Sequence, residues 1–201
     1  MGEQTAPIGA VLAGGAGRRI GGSKAIVELQ GRPLLSYPVG VLQAALEQVV
    51  VVAKAATELP GLPSVEIWLE PDEPRHPLTG LVHALAAAEG RAVLIAAGDL
   101  PFLTVPLVMQ LATVPTIGAP ALVPRAAGRL QPLLARYEPA ALAPLSDALS
   151  ADPGSLSEIV EAIAPRVVEL DDEGPFFNVN RPEDLLTAAA MMDRPGSPGA
   201  P

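Results

Sequence analysis

The sequence predicts a three-layer α/β fold, a mostly parallel sheet with helices on both faces. Three observations carry that expectation. Short apolar runs without alternation recur at residues 8–13, 49–53, 65–69, 92–97 and 119–123, as in strands buried on both faces. Stretches with apolar residues near a 3.6-residue period lie between them, so strand and helix alternate and right-handed crossovers follow. The chain has 201 residues and an apolar share of 49%, enough for one domain with a full core.

Taken in order, the first run is a strand that passes directly into a glycine-rich segment, residues 13–24, AGGAGRRIGGSK. Residues 34–47 read as a helix whose regular part Pro38 should confine to the later turns. Residues 80–89 and 105–112 repeat the helical pattern. In the last third, 138–149 and 156–164 read as helices separated by the breaker Ala151-Asp152-Pro153-Gly154, and Ser155 with Glu158 has the form of a capping box. Residues 166–170 are a short strand. The last helix opens at Arg181 and runs to about Met192, with Pro182 in its first turn and Glu183 and Asp184 beside its positive end. No repeat or linker marks a second domain, so 1–193 is expected to be one domain. Residues 194–201, RPGSPGAP, have nothing to bury and are expected to be disordered.

The glycine-rich segment sets the functional expectation. Gly14, Gly15, Gly17, Gly21 and Gly22 allow close approach of backbone N–H groups to a ligand, and Arg18, Arg19 and Lys24 add positive charge there. The natural guest is a polyphosphate; the competing reading is a solvated surface loop. The dinucleotide fingerprint needs glycine where Ile20 stands, and a Walker loop needs Lys before Ser, whereas Ser23 precedes Lys24. The net charge of −9 argues against nucleic acid as a partner. A small anion at one local site is the economical reading. There is no cysteine, hence no disulfide and no thiolate metal site. No apolar run is long enough to span a bilayer and no targeting segment is evident, so a soluble cytoplasmic protein is expected.

Three blocks carry a family resemblance. Leu12-Ala13-Gly14-Gly15 with Arg18-Arg19-Ile20-Gly21-Gly22 and Lys24, then Gly98-Asp99-Leu100-Pro101-Phe102, then Asn178-Val179-Asn180-Arg181-Pro182 occur in this order. They resemble the nucleotidyltransferases with a signature L-A-G-G loop, and among these the molybdenum cofactor guanylyltransferases. The resemblance implies a Rossmann-like, nucleotide-diphospho-sugar transferase type of fold. It implies Mg²⁺ as cofactor, GTP and molybdopterin as substrates, and transient contact with molybdoenzymes or cofactor-insertion proteins. Where the family has Gly-Gly-x-Asp-Lys, this chain has the shorter Gly22-Ser23-Lys24.

Ligands of open α/β sheets gather outside the carboxyl ends of the strands. There, the resemblance assigns nucleotide contacts to Leu12, Ala13, Gly14 and Gly15, phosphate contacts to Lys24, Arg18 and Arg19, and the metal to Asp99. Asp99 is a hard oxygen donor after the fourth run, facing the proposed phosphates; its other reading is a cap for the next helix. Gly80 lies in Pro77-Leu78-Thr79-Gly80, similar to the family's G-P-L-[AS]-G, with His76 in place of the first glycine. An acid just upstream suits guanine, whose ring N1–H and exocyclic amine form a donor pair that adenine lacks; Glu70 and Asp72 both qualify. Arg129, Asn178 and Asn180 are candidates for the acceptor, with helix capping the competing role of Asn180. His76 and His83 receive no catalytic part. The activity expected is GMP transfer with release of pyrophosphate. The alternatives are cytidylyl or related nucleotidyl transfer to molybdopterin or another phosphorylated acceptor, or a regulator that binds nucleotide without turnover.

Overall fold

The computed structural model of the chain describes residues 6–14, 24–151 and 153–193. Its strands are β1 (Ile8–Leu12), β2 (Glu28–Leu29), β3 (Arg32–Pro33), β4 (Val49–Ala53), β5 (Glu66–Leu69), β6 (Val93–Ala97), β7 (Ala121–Ala126), β8 (Arg129–Leu130), β9 (Leu134–Tyr137) and β10 (Arg166–Leu170). The helices are α1 (Ser36–Ala45), α2 (Pro77–Ala87), α3 (Val105–Thr113), α4 (Leu142–Ser150), α5 (Leu156–Ala162) and α6 (Pro182–Met192). The main sheet has the order β10-β7-β9-β6-β1-β4-β5, with β8 paired to β7. β6, β1, β4 and β5 are parallel neighbours, so their carboxyl ends share one rim.

The runs in β1, β4 and β6 are buried on both faces as expected, and that in β7 is nearly so; the run at 65–69 is not, because β5 is the edge strand of the sheet and leaves Ile67 and Leu69 exposed. In β1, Ile8, Ala10 and Leu12 join the core under α2, α4 and α5. Val11 and Ala13 join the opposite core with α1 and α3. That split follows the two-residue period of a strand. A third, smaller core gathers Leu29, Leu34, Phe102, Val179, Ala188 and Met192, and so ties the β2–β3 hairpin and α6 to the loop after β6.

Several expectations are corrected. α1 begins at Ser36 and contains Pro38, because a proline in the first turn removes an N–H that has no intrahelical partner there. α2 starts at Pro77 rather than residue 80, since the His76 side chain accepts a hydrogen bond from the Leu78 N–H. Residues 139–141 form a separate 3-10 turn before α4. The capping box of Ser155 and Glu158 is present. The pattern does not announce the two-residue strands β2, β3 and β8, nor β9, which runs antiparallel to both β6 and β7 with Arg136 only 4% exposed in its middle. The guanidinium donates to the carbonyls of Leu111, Ala112 and Val114 at the end of α3 and pairs with Glu138 at 3.0 Å. Among the described residues no helix is long and apolar enough to cross a membrane. Residues 194–201, expected to be disordered, lie outside those described.

Candidate active site

Along the rim, four consecutive strands each end in a polar or glycine residue. β6 leads to Gly98 and Asp99, β1 to Ala13 and Gly14, β4 to Lys54, and β5 to Glu70. With neighbouring strands about 4.8 Å apart, the rim from Asp99 to Glu70 crosses three inter-strand gaps, roughly 14 Å. Above it opens a cleft of about 1030 Å³ lined by these residues together with Lys24, Asp72, His76, Gly80, Asn178 and Asn180. Of the candidates placed by the sequence, Leu12, Ala13, Gly14, Lys24, Glu70, Asp72, Gly80, Asp99, Asn178 and Asn180 are brought together there. Gly15, Arg18 and Arg19 lie outside the described residues. Arg129 is exposed on the β7–β8 hairpin and does not line the cleft.

At the β6 end, the Lys24 ammonium donates to Asp99 Oδ2 at 3.0 Å and to Asn180 Oδ1 at 2.6 Å. Lys24 sits on a short 3-10 turn. Asp99 follows β6 through Gly98, whose N–H donates to the Leu12 carbonyl at 3.0 Å. That close approach requires glycine: a Cβ on Gly98 would fall 3.0 Å from the same carbonyl and 2.8 Å from Leu35 Cδ1. Asn180 is delivered by the Asn178–Asn180 segment, where the Val179 N–H donates to the Asp99 carbonyl at 3.1 Å and the Val179 side chain anchors in the small third core. Asn180 is not the helix cap; the Asp184 carboxylate accepts from the N–H groups of Asn180 and Arg181. The capping alternative for Asp99 also fails, since Thr104 caps α3. Asp99 Oδ1 is buried and has no hydrogen-bond partner among the described residues, leaving a hard acceptor beside the cleft.

At the β5 end, Glu70 is 9% exposed and lodged between two glycines. A Cβ on Gly80 would lie 2.8 Å from Glu70 Oε2, and one on Gly14 3.1 Å from Oε1. The Lys54 ammonium stands 3.8 Å from its Oε1. Burial pushes the Glu70 carboxyl above the usual carboxylate range; Lys54 opposes that shift and the nearby Asp72 charge reinforces it. Asp72, by contrast, is exposed. The Leu12 carbonyl and the Ala13 N–H, expected to face a nucleotide, are engaged by Gly98 and by the Val52 carbonyl. The segment therefore offers the cleft its exposed Gly14 end.

Over residues 9–167 the chain matches the MobA-like NTP transferase domain. The chain belongs to that family. It is a nucleotidyltransferase. Among its relatives, "Probable molybdenum cofactor guanylyltransferase" of Chloroflexus aggregans is 32% identical over 92% of this chain and 94% of its own. The "Molybdenum cofactor guanylyltransferase" of Cereibacter sphaeroides is 32% identical over 92% and 96%. The crystal structure of molybdopterin-guanine dinucleotide biosynthesis protein A from Archaeoglobus fulgidus superposes with a TM-score of 0.70 at 26% identity, covering 91% of this chain and 97% of that one. The resemblance read from the motifs and the Rossmann-like transferase fold are thus both borne out.

Lys54 was not singled out by the motifs. It directly follows the second apolar run, and the reasoning that selected Asp99 after the fourth run applies to it equally. His76 has a structural part that its spacing does not reveal. Besides capping α2, its Nε2 lies 3.1 Å from the Gly154 carbonyl, which requires the tautomer protonated at Nε2.

Proposed function

We propose that this protein, acting in molybdenum cofactor biosynthesis in the cytoplasm, transfers GMP from GTP to molybdopterin with Mg²⁺ and releases pyrophosphate. The observation that carries the reading is a single cleft with a lysine–carboxylate pair at each end, Lys24 with Asp99 and Lys54 with Glu70. A triphosphate belongs at the first pair and a purine at the second. Of the two acids upstream of Gly80, Glu70 is the base reader in this reading. It is held in the cleft wall between Gly14 and Gly80, whereas Asp72 is exposed. An ionised carboxylate accepts from guanine N1–H and the exocyclic amine together.

The acceptor phosphate is already ionised at neutral pH, so no strong general base is required. One of its oxygens attacks the α-phosphorus, the bond from that phosphorus to the β-phosphate bridging oxygen breaks, and pyrophosphate leaves with the electron pair. The chain contributes positioning and charge. Lys24 neutralises phosphate charge, Asn180 orients its ammonium, and the family resemblance assigns further phosphate contacts to Arg18 and Arg19 and a nucleotide contact to Gly15, all outside the described residues. Asp99 would hold Mg²⁺ through Oδ1, a hard oxygen donor without a hydrogen-bond partner among the described residues. When bound, Mg²⁺ supplies charge neutralisation of the triphosphate. Asn178 flanks the acceptor side, and transient contact with molybdoenzymes or cofactor-insertion proteins would pass the product on.

The experiment is pyrophosphate release from GTP, CTP, ATP and UTP, each with Mg²⁺ and molybdopterin. Release with GTP above the others is expected. A preference for CTP overturns the guanine assignment, and no release with any nucleotide overturns turnover.

A further inference from the structure

Lys54 makes an unusual set of contacts for a rim lysine. Its ammonium donates to the carbonyl oxygens of Pro71 at 2.6 Å and Asp72 at 2.7 Å, and it stands 3.8 Å from Glu70 Oε1. The β4 strand that delivers it is completely buried, and the Lys54 carbonyl accepts from the Thr57 N–H at 2.9 Å, so its starting point is fixed. One side chain from the end of β4 therefore ties down the segment that leaves β5. We propose that Lys54 is the positioning residue for base selection, holding residues 70–72 and the Glu70 carboxylate in the arrangement that takes a guanine-type donor pair. This rests on the reading of Glu70 given above.

Two physical effects act together. The two carbonyl bonds prevent the 70–72 segment from swinging away from Gly80 and Gly14, against which Glu70 is packed. The positive charge opposes the protonation that burial favours at Glu70. A protonated carboxyl presents one donor and loses an acceptor, and so no longer matches guanine. The charged groups that face Glu70 are Lys54 from the end of β4 and Asp72 from its own segment. The packed glycines of α2 and the β1 end bring none, while Arg75 and His76 line the same cleft.

The test measures Kd for GTP and for ATP by calorimetry, with Mg²⁺, on the wild-type protein, Lys54→Met and Lys54→Gln, at a higher pH of about 8 and a lower pH of about 5.5. For Lys54→Met the GTP-over-ATP preference is expected to fall roughly tenfold or more through weaker GTP binding, with ATP binding nearly unchanged. Lys54→Gln keeps amide donors without the charge. It should hold most of the preference at the higher pH and lose more of it than the wild type at the lower one. The thermal midpoint of each variant reports folding, and if Lys54→Met melts early, the pH dependence of Lys54→Gln decides alone. An unchanged preference and pH profile, or equal loss for both nucleotides, overturns the role of Lys54 and leaves the reading of Glu70 standing. A wild-type protein with no GTP preference overturns both.

Discussion

The two ends of the cleft hold the same residue types in opposite arrangements. At the β6 end, Lys24 spends its ammonium directly on the carboxylate, 3.0 Å from Asp99 Oδ2, and on the Asn180 amide. At the β5 end, Lys54 spends its ammonium on two backbone carbonyls and stays 3.8 Å from the carboxylate. The first is a preassembled charge cluster, in which an incoming polyphosphate meets cation and carboxylate already in place. The second is a carboxylate held by packing against Gly14 and Gly80, an arrangement suited to a partner that donates. One geometry suits charge neutralisation during bond exchange; the other suits recognition of a neutral ring by its hydrogen-bonding edge.

The comparison breaks most sharply at Asp99. Asp99→Ala should lower kcat by about 10³-fold or more, since it removes the one carboxylate proposed to hold the metal against the triphosphate. Its thermal midpoint should stay close to wild type, because the side chain packs in none of the three cores. Steady-state pyrophosphate release and a melting curve check both halves; retention of most of the activity would remove Asp99 from the chemistry.

Glu70→Gln should act on selection rather than on the bond exchange. GTP-over-ATP preference is expected to fall by about 10²-fold, because an amide presents one acceptor where guanine needs two, with kcat at saturating GTP changed much less. Stability should move the other way. Burial raises the folded-state pKa of Glu70, so the folded chain holds that proton more tightly than the unfolded one. Its favourable contribution is present at low pH and is lost as pH rises through the folded value. Above that folded value the ionised group therefore costs stability, and there the glutamine variant should melt at or above the wild-type temperature. The same shift predicts that the wild-type GTP preference weakens as pH falls through that raised value. A titration of Kd against pH checks it, and Glu70→Gln should show no such dependence.

These expectations also show what could be read before the fold was seen. The strands buried on both faces and the residues after β1 and β6 were legible, because unbroken apolar runs ending in Gly14 or in Gly98-Asp99 leave little ambiguity. β9 was not, since Arg136 interrupts its apolar pattern while lying buried in the sheet; the carbonyls at the end of α3 that satisfy it belong to a distant part of the chain. The choice between Glu70 and Asp72 was likewise invisible, as both are acids two positions apart. Only the third dimension puts Gly14 and Gly80 against one of them. Arg129 shows the opposite limit: its motif neighbourhood was suggestive, but the β7–β8 hairpin carries it to an exposed position outside the cleft lining.

Gly80→Ala probes the packing that holds Glu70. Its new methyl would fall 2.8 Å from Oε2 and 3.3 Å from Leu12 Cδ2, so the carboxylate must give way. The backbone there is helical, so the effect comes from crowding rather than from backbone strain. A displacement of the reading group should raise KM for GTP about tenfold with kcat nearly unchanged. Equal KM values for the two proteins would show that the glycine serves only the helix.

Asn180→Ala is the gentlest break and addresses the other end. The amide accepts one hydrogen bond from Lys24, at 2.6 Å, while Asp99 still holds the same ammonium. One hydrogen bond at an exposed position contributes about 1 kcal/mol, so kcat should fall about fivefold with KM for GTP little altered. Asn180→Asp separates orientation from charge: it restores an acceptor for Lys24 but adds a negative group where phosphate is to bind. It should therefore raise KM for GTP while leaving the lysine held, and that rise should shrink as salt screens the repulsion. If both variants behave like wild type, Lys24 is positioned by Asp99 alone and the β6 end is a simple ion pair.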